Sequence, residues 1–280
     1  MDHVADLTPD VRDAILEWYA THGRTLAFRR TTDPYAVLVS EVIAQQTQAE
    51  RAAARWERFM ARFPTVDALA DASPADVLRE WQGLGYDRRG LALWRAARVI
   101  RNEHDGRVSA SIEALEALPG VGPYTARAVG AIAFGLPVGA VDVNVERVIG
   151  RITGGAVPLR RREVQAAADR IVSTTDPATW THAVMDFGAM VCRPRNPRCG
   201  DCPVRAWCGT AKTGAQSALG RGEVRDPSRR SMRPTAGSGA GSSIDSGRPR
   251  RSRGSPSTPP SGHTTSTACT ARRRPSRPTA

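Results

Sequence analysis

The sequence predicts an all-α fold for residues 1–208. Three observations carry that reading. Apolar residues recur at helical spacing from Val11 to Val191. No stretch alternates polar and apolar residues over the length of a useful strand. All six Trp, all four Tyr and all five Phe precede residue 209, so the side chains that build a core are confined to the helical part.

The elements follow in order. Thr8-Pro9-Asp10 opens a helix to about Ala20, with Val11, Ile15, Leu16 and Tyr19 on one face. Asp33-Pro34 starts a second, which runs to Ala44. It is apolar nearly all round, as a buried helix is, and its polar exceptions are Ser40 and Glu41. A third spans about Gln48 to Phe63 and stops before Pro64. Ser73-Pro74-Ala75-Asp76 is a capping start for a short helix to Trp81, broken by Gly83-Leu84-Gly85. Residues 88–103 are amphipathic again. A short helix covers 112–118, and Leu118-Pro119-Gly120-Val121-Gly122 is a tight turn into a helix that begins near Pro123. Another follows Val141-Asp142-Val143-Asn144. Two more, near 161–172 and 179–191, lead into a cysteine cluster.

The chain has a formal charge of +12, but residues 209–280 hold 14 basic and three acidic residues. Residues 1–208 hold 26 basic and 25 acidic ones and are nearly neutral. The charge therefore belongs to the tail, and it does not by itself make the folded part a nucleic-acid binder. The tail is dominated by Gly, Ser, Pro, Thr, Ala and Arg, and its large apolar residues are only Leu219, Val224, Met232 and Ile244. That is too little burial to offset the entropy of ordering it, so a disordered basic tail is expected. Its composition also resembles a GC-rich gene translated in a shifted frame. Cys269, isolated there, is assigned no role. No apolar run nears the roughly 20 residues that span a bilayer. The N-terminus, MDHVADLTPD, is not a secretory signal, and a cytoplasmic protein is expected.

Four of the five cysteines form Cys192-x6-Cys199-x2-Cys202-x5-Cys208. In a cytoplasmic chain that reads as a metal site before it reads as disulfides. Four thiolates hold tetrahedral zinc or a [4Fe–4S] cluster, and a single loop that supplies all four favours the compact cluster. Arg193, Arg195, Arg198 and Arg205 make this loop a local basic patch suited to a phosphate backbone. The plainer alternative is a metal that only staples the C-terminal segment. In the turn, Gly120 and Gly122 permit positive φ and remove side chains, so backbone N–H groups can approach a phosphate. The helix that follows directs its positive end at the same place.

Taken together, LPGVG, VDVNVERV about twenty residues later, and the cysteine spacing resemble the helix-hairpin-helix DNA glycosylases of the endonuclease III superfamily. Ser40-Glu41-Val42-Ile43-Ala44-Gln45-Gln46-Thr47-Gln48 and Trp81-Gln82-Gly83-Leu84-Gly85-Tyr86 resemble its adenine DNA glycosylase branch. The resemblance covers about residues 8–208 and implies a two-lobed helix-hairpin-helix DNA glycosylase fold with a C-terminal iron–sulfur cluster loop. Residues 1–25 plus 134–208 would form the cluster lobe. Residues 26–133 would form a six-helix lobe, with the helix-hairpin-helix at about 112–133. The resemblance also implies a [4Fe–4S] cluster on Cys192, Cys199, Cys202 and Cys208. Its implied partner is double-stranded DNA with a mispaired adenine, bound by a monomer without membrane contact, nucleoid-associated when on DNA.

Cleaving adenine from deoxyribose needs a protonated ring nitrogen on the leaving group and an anion near the oxocarbenium-like sugar. Two carboxyl groups in unlike environments meet both needs. Glu41 lies on an apolar helix where desolvation raises a carboxyl pKa. The resemblance makes it the acid that protonates adenine at N7 and then helps to activate water. Read alone, it is more often a salt-bridged or partly exposed residue. Asp142 reads alone as an N-cap. The resemblance makes it the carboxylate facing the sugar C1′, with Asn144 as its polar partner. Tyr124 stands where bifunctional members carry a Schiff-base lysine, and residues 1–211 contain no lysine. A monofunctional glycosylase follows, in which Tyr124 positions the carboxylates. Gln46, Leu84 and Tyr86 match residues that wedge into the duplex, and Arg29 one that contacts the flipped adenine. Phe28 and Ala27 replace the tryptophan and proline usual beside it. Many family members continue into a Nudix-like domain, and none is expected in residues 209–280, which resemble no part of it. The alternatives are a thymine-specific G:T mismatch glycosylase of the same superfamily and a non-catalytic DNA-binding protein with a structural metal.

Overall fold

A computed structural model describes residues 8–153 and 159–214, all within one unit of chain contacts, Met1–Arg225. Among these residues every regular element is a helix. The long ones are α1 (Pro9–His22), α2 (Pro34–Ala44), α3 (Ala49–Arg62), α5 (Pro74–Trp81), α6 (Arg88–Glu103), α8 (Pro123–Phe134), α9 (Val143–Thr153), α10 (Arg161–Ile171) and α11 (Pro177–Met190). Three are single turns: α4 (Val66–Ala70), α7 (Ile112–Glu116) and α12 (Gly209–Lys212). A 3-10 turn covers Ala27–Arg30. No helix among the described residues is long and apolar enough to cross a membrane.

The starts follow the capping chemistry in the sequence. Proline occupies the first turn of α1, α2, α5, α8 and α11, where its missing N–H loses no bond. Asp33 and Ser73 accept from the amides of Ala36 and Asp76. Of the single-turn helices the sequence predicts α7, within 112–118; α4, α12 and the 3-10 turn are absent from the prediction, because an element of four or five residues shows no periodicity. The tail boundary also needs correcting: residues 209–214 are described, and Thr210 is buried with its hydroxyl donating to the Arg151 carbonyl. That bond satisfies a carbonyl near the C-terminus of α9 and draws the chain onto it. The remainder of the expected tail, with Cys269, lies outside the described residues.

Two hydrophobic clusters result. One centres on Phe59, Phe63, Trp81, Leu38 and Ile43, with Phe59 edge-on to both Phe63 and Trp81. It takes its members from Tyr35 to Ala140. The other joins Val11 and Ile15 of α1 to α9, α10, α11 and Val204. The first helix thus packs with the last long ones, and α11 touches both α9 and α8. The wholly buried face of α2, Tyr35 through Ile43, explains its uniform apolarity.

Candidate active site

A cleft of about 450 Å³ opens between helices of the two clusters. It is lined by Glu41, Gln45, Gln46, Tyr124, Asp142, Val143, Glu146 and Arg161. Residues 83 and 101 positions apart thus meet in one place, and the volume falls within the range of a small-molecule site.

Glu41 is 7% exposed. Burial pushes its carboxyl up to about 7; Asp142's charge adds to the rise, and the Tyr124 hydroxyl and Arg29 oppose it. Tyr124 donates its hydroxyl to Glu41 Oε2 at 2.8 Å, with Met185 Sδ at 3.7 Å. Burial and the two carboxyl groups hold the phenol well above its ordinary value, so the tyrosine stays a donor. Asp142 sits differently. Its Oδ1 accepts from the amides of Asn144 and Val145 at 2.8 and 2.7 Å, and its Oδ2 accepts from Asn144 Nδ2 at 2.9 Å. It is an N-cap of α9 and it lines the cleft. The two carboxyl groups therefore have unlike surroundings, one dry and one bonded to N–H donors.

Behind Asp142 the bonds continue. Arg147 donates Nη2 to Asn144 Oδ1 and to the Gly188 carbonyl, both at 2.8 Å, and Nε to the Cys192 carbonyl at 2.7 Å. One turn on, Arg151 reaches Cys192 Sγ at 3.4 Å and the Arg193 carbonyl at 2.7 Å. Helix α9 thus carries the carboxylate at one end and seats the cysteine loop along its length.

Arg29 is placed next to this site, outside the cleft wall. With Arg24 it grips Asp186, which is 0% exposed: Arg29 gives two bonds of 2.8 Å, and Arg24 adds its amide, Nε and Nη2. Despite burial, those donors hold the Asp186 carboxyl down to about 2. Arg29 Nε is buried without a partner. Phe28 packs on the first cluster, edge-on to Trp56 at 6.4 Å between ring centroids.

Gln46 and Tyr86 are both exposed, Tyr86 at 58%. Leu84 lies apart from these two. It is buried in the first cluster, because a branched aliphatic on a loop above Trp81 gains more from packing than from water. The structure does not bring it to the surface with the other two. In the hairpin, Gly120 has φ 80°, and a Cβ there would sit 2.6 Å from Ala92 Cβ. Gly122 differs from the expected positive φ: it takes −105°, which any residue adopts, and the space above it is open. Its lack of a side chain leaves the N-terminus of α8 accessible.

Cys192, Cys199, Cys202 and Cys208 line one cavity with Arg151, Phe187 and Val191. Among the described residues no three Cys, His, Asp or Glu side chains converge on one ion. Four sulfurs around a cavity wall suit a polynuclear cluster better than a single tetrahedral ion. Sequence reasoning missed Asp186, Arg24, Arg147 and Arg89. Asp186 did carry a signal, a lone carboxylate on an apolar helix, as Glu41 is. The arginines, among many others, carried none.

Comparison with known proteins agrees with this geometry. Residues 39–173 match the model of the HhH-GPD superfamily base excision DNA repair proteins. Residues 192–208 match the iron–sulfur binding domain of endonuclease III, and the loop holds a [4Fe–4S] cluster. The adenine DNA glycosylase of Mycolicibacterium smegmatis is 42% identical over 193 residues, 68% of this chain and 66% of that one. That of Mycobacterium tuberculosis is 44% identical over 200 residues, 69% and 65%. The human adenine DNA glycosylase is 39% identical over 218 residues, 73% and 40%. The chain thus spans slightly less than two thirds of its mycobacterial relatives. Among solved structures, a thermostable thymine-DNA glycosylase superposes with a TM-score of 0.68 at 29% identity, over 72% of this chain and 95% of that one. A non-covalent endonuclease III–DNA complex gives 0.64 at 22%, over 75% and 99%, a likeness of fold.

Proposed function

We propose, from the premise that the chain belongs to the HhH-GPD superfamily of base excision DNA repair proteins, that it is a monofunctional DNA glycosylase. Its substrate is adenine mispaired with 8-oxoguanine or guanine in double-stranded DNA. The observation that carries the reading is the pair of unlike carboxyl groups in one cleft, Glu41 poised near neutrality and Asp142 bonded to N–H donors.

In this reading Gln46 and Tyr86 enter the duplex and the adenine leaves the stack for the cleft. Glu41, protonated, gives its proton to N7. The C1′–N9 bond breaks, its electron pair leaves with the neutral base, and the sugar becomes oxocarbenium-like opposite Asp142. Water adds at C1′ and returns a proton to Glu41, which leaves an abasic site. Tyr124 orients Glu41 and Asn144 orients Asp142. Gly120, Gly122 and the N-terminus of α8 hold a backbone phosphate. Cys192, Cys199, Cys202 and Cys208 hold the cluster, whose place is structural: it stiffens a basic loop bearing the exposed Arg195, Arg198 and Arg205. No lysine precedes Lys212, so no ε-amine stands ready to cut the strand through a Schiff base. The two hydrophobic clusters support a division into a six-helix lobe and a cluster lobe.

The test is base release under single-turnover conditions from A:8-oxoguanine, A:G and T:G duplexes, with and without alkali. Strand breaks on the adenine strand only after alkali are the expected result. Breaks on the T:G duplex alone would move the protein to the thymine branch. Binding without release from any duplex would leave a DNA-binding protein with a structural cluster.

A further inference from the structure

Gln46 and Tyr86 share a backbone property that their side chains do not explain. Gln46 has φ 55° and Tyr86 φ 50°, both in the left-handed region. A residue with a Cβ holds that conformation only where its surroundings over-determine it. One side chain does this for both. Arg89, in the first turn of α6, donates Nη1 to the carbonyls of Gln45 and, at 3.3 Å, Val42. It donates Nη2 to the carbonyls of Leu84 at 3.1 Å and Gly85 at 3.2 Å. The Gln45 and Gly85 carbonyls belong to the peptide units directly before Gln46 and Tyr86. A peptide plane fixed at its oxygen is fixed at its nitrogen, so one guanidinium anchors the peptide plane from which φ of each residue is turned. The same group lies 5.5 Å from the Tyr86 ring centroid and 5.9 Å from that of Trp81.

The other arginines near this loop do less. Arg51 reaches the Gly83 carbonyl and Arg55 that of Gln82, so both brace the loop from α3 without touching the Gln45 carbonyl. Among the described residues Arg89 bridges the end of the Glu41 helix to the Tyr86 loop. A planar fork of N–H donors suits four carbonyls from two segments, whereas an ammonium group is a point charge.

We propose that Arg89 is a positioning residue for base extrusion, locking Gln46 and Tyr86 into one rigid wedge referenced to the helix that carries Glu41. The proposal rests on the glycosylase reading above. Its test compares Arg89→Lys, and Arg89→Gln as a second variant, with the parent chain, all as holoproteins matched in helical circular dichroism and cluster absorbance. An A:8-oxoguanine duplex carries 2-aminopurine beside the target adenine, so its fluorescence reports unstacking on binding.

The variants keep duplex affinity within about threefold, since phosphate contacts supply most of it. Their fluorescence rise and their single-turnover excision fall about tenfold, the effect of about 1.4 kcal/mol. Excision recovers when the pairs flanking the adenine are mismatched, because the DNA then needs less opening. A purely structural role would lower excision equally on both duplexes. That outcome, or variants that match the parent on the fully paired duplex, overturns the proposal. A parent chain that releases no adenine from either duplex sinks the glycosylase reading alone; the fluorescence arm still decides the role of Arg89, since extrusion breaks no bond.

Discussion

Replacing Glu41 with glutamine tests the core of the chemistry through stability. The substitution keeps the shape and leaves a carbonyl oxygen to accept the 2.8 Å bond from Tyr124. It removes only the titrating proton. Glu41 titrates at about 7 in the folded chain against an ordinary 4.5. At about 1.36 kcal/mol per unit of pKa, that difference is worth about 3 kcal/mol. The folded pKa is raised, so between 4.5 and 7 the folded state binds a proton that the unfolded state has released. Stability contributed by the protonated form is therefore whole below about 4.5 and lost as pH rises through about 7. Glu41→Gln escapes that loss. Urea unfolding followed by Trp fluorescence, with the cluster intact, should show parent and variant close together at low pH. The variant should then gain on the parent by up to about 1.4 kcal/mol per pH unit and lead by about 3 kcal/mol at pH 8. The same variant should release no adenine, while the parent's excision declines as pH rises through about 7. A stability difference that stays flat from pH 5 to pH 8 would refute the argument, because Glu41 would then ionise like an exposed carboxyl.

Three further outcomes are expected. Tyr124→Phe removes the hydrogen bond that opposes the rise of the Glu41 pKa, so the alkaline limb of the pH–rate profile should move to higher pH; a limb that moves to lower pH contradicts the assignment. Asp142→Asn keeps an N-cap side chain and should change stability by less than about 1 kcal/mol. It should also slow excision about a hundredfold or more with duplex binding retained in a gel-shift assay. Asp186→Asn leaves Arg29, 9% exposed, without its counter-charge. It should destabilise the protein by about 3–5 kcal/mol, and an unchanged thermal midpoint would show that Asp186 is not the anchor of that cluster.

Much of this was legible in the chain because it rests on local rules. Proline and N-cap residues mark where most of the helices start, and Asp33, Ser73 and Asp142 cap as their types predict. Glu41 stood out as the one carboxylate of an apolar helix, and the resemblance supplied its expected role. The short α7 was legible from its place before the Leu118–Gly122 turn, whereas α4, α12 and the 3-10 turn were not, since they span too few turns to show a period. The burial of Leu84 was not legible for a related reason: a loop leucine between glycines gives no sign of whether it faces water or the core. Gly122 likewise reads as a positive-φ glycine until the backbone shows the extended region.

The sequence by itself determined the helical class, the cysteine loop, the hairpin turn and the residue types of the chemistry, because spacing, capping and side-chain chemistry act along the chain. Tertiary structure alone decided the rest. It set the unlike states of Glu41 and Asp142, because burial and bonding partners belong to the fold. It joined Asp142 through Asn144 and Arg147 to the Cys192 carbonyl. It also gave Arg89 two segments to hold and Arg29 a buried partner in Asp186. A guanidinium reads the same anywhere in a sequence; its meaning lies in which carbonyls and carboxylates the packing brings within about 3 Å, the span of a hydrogen bond.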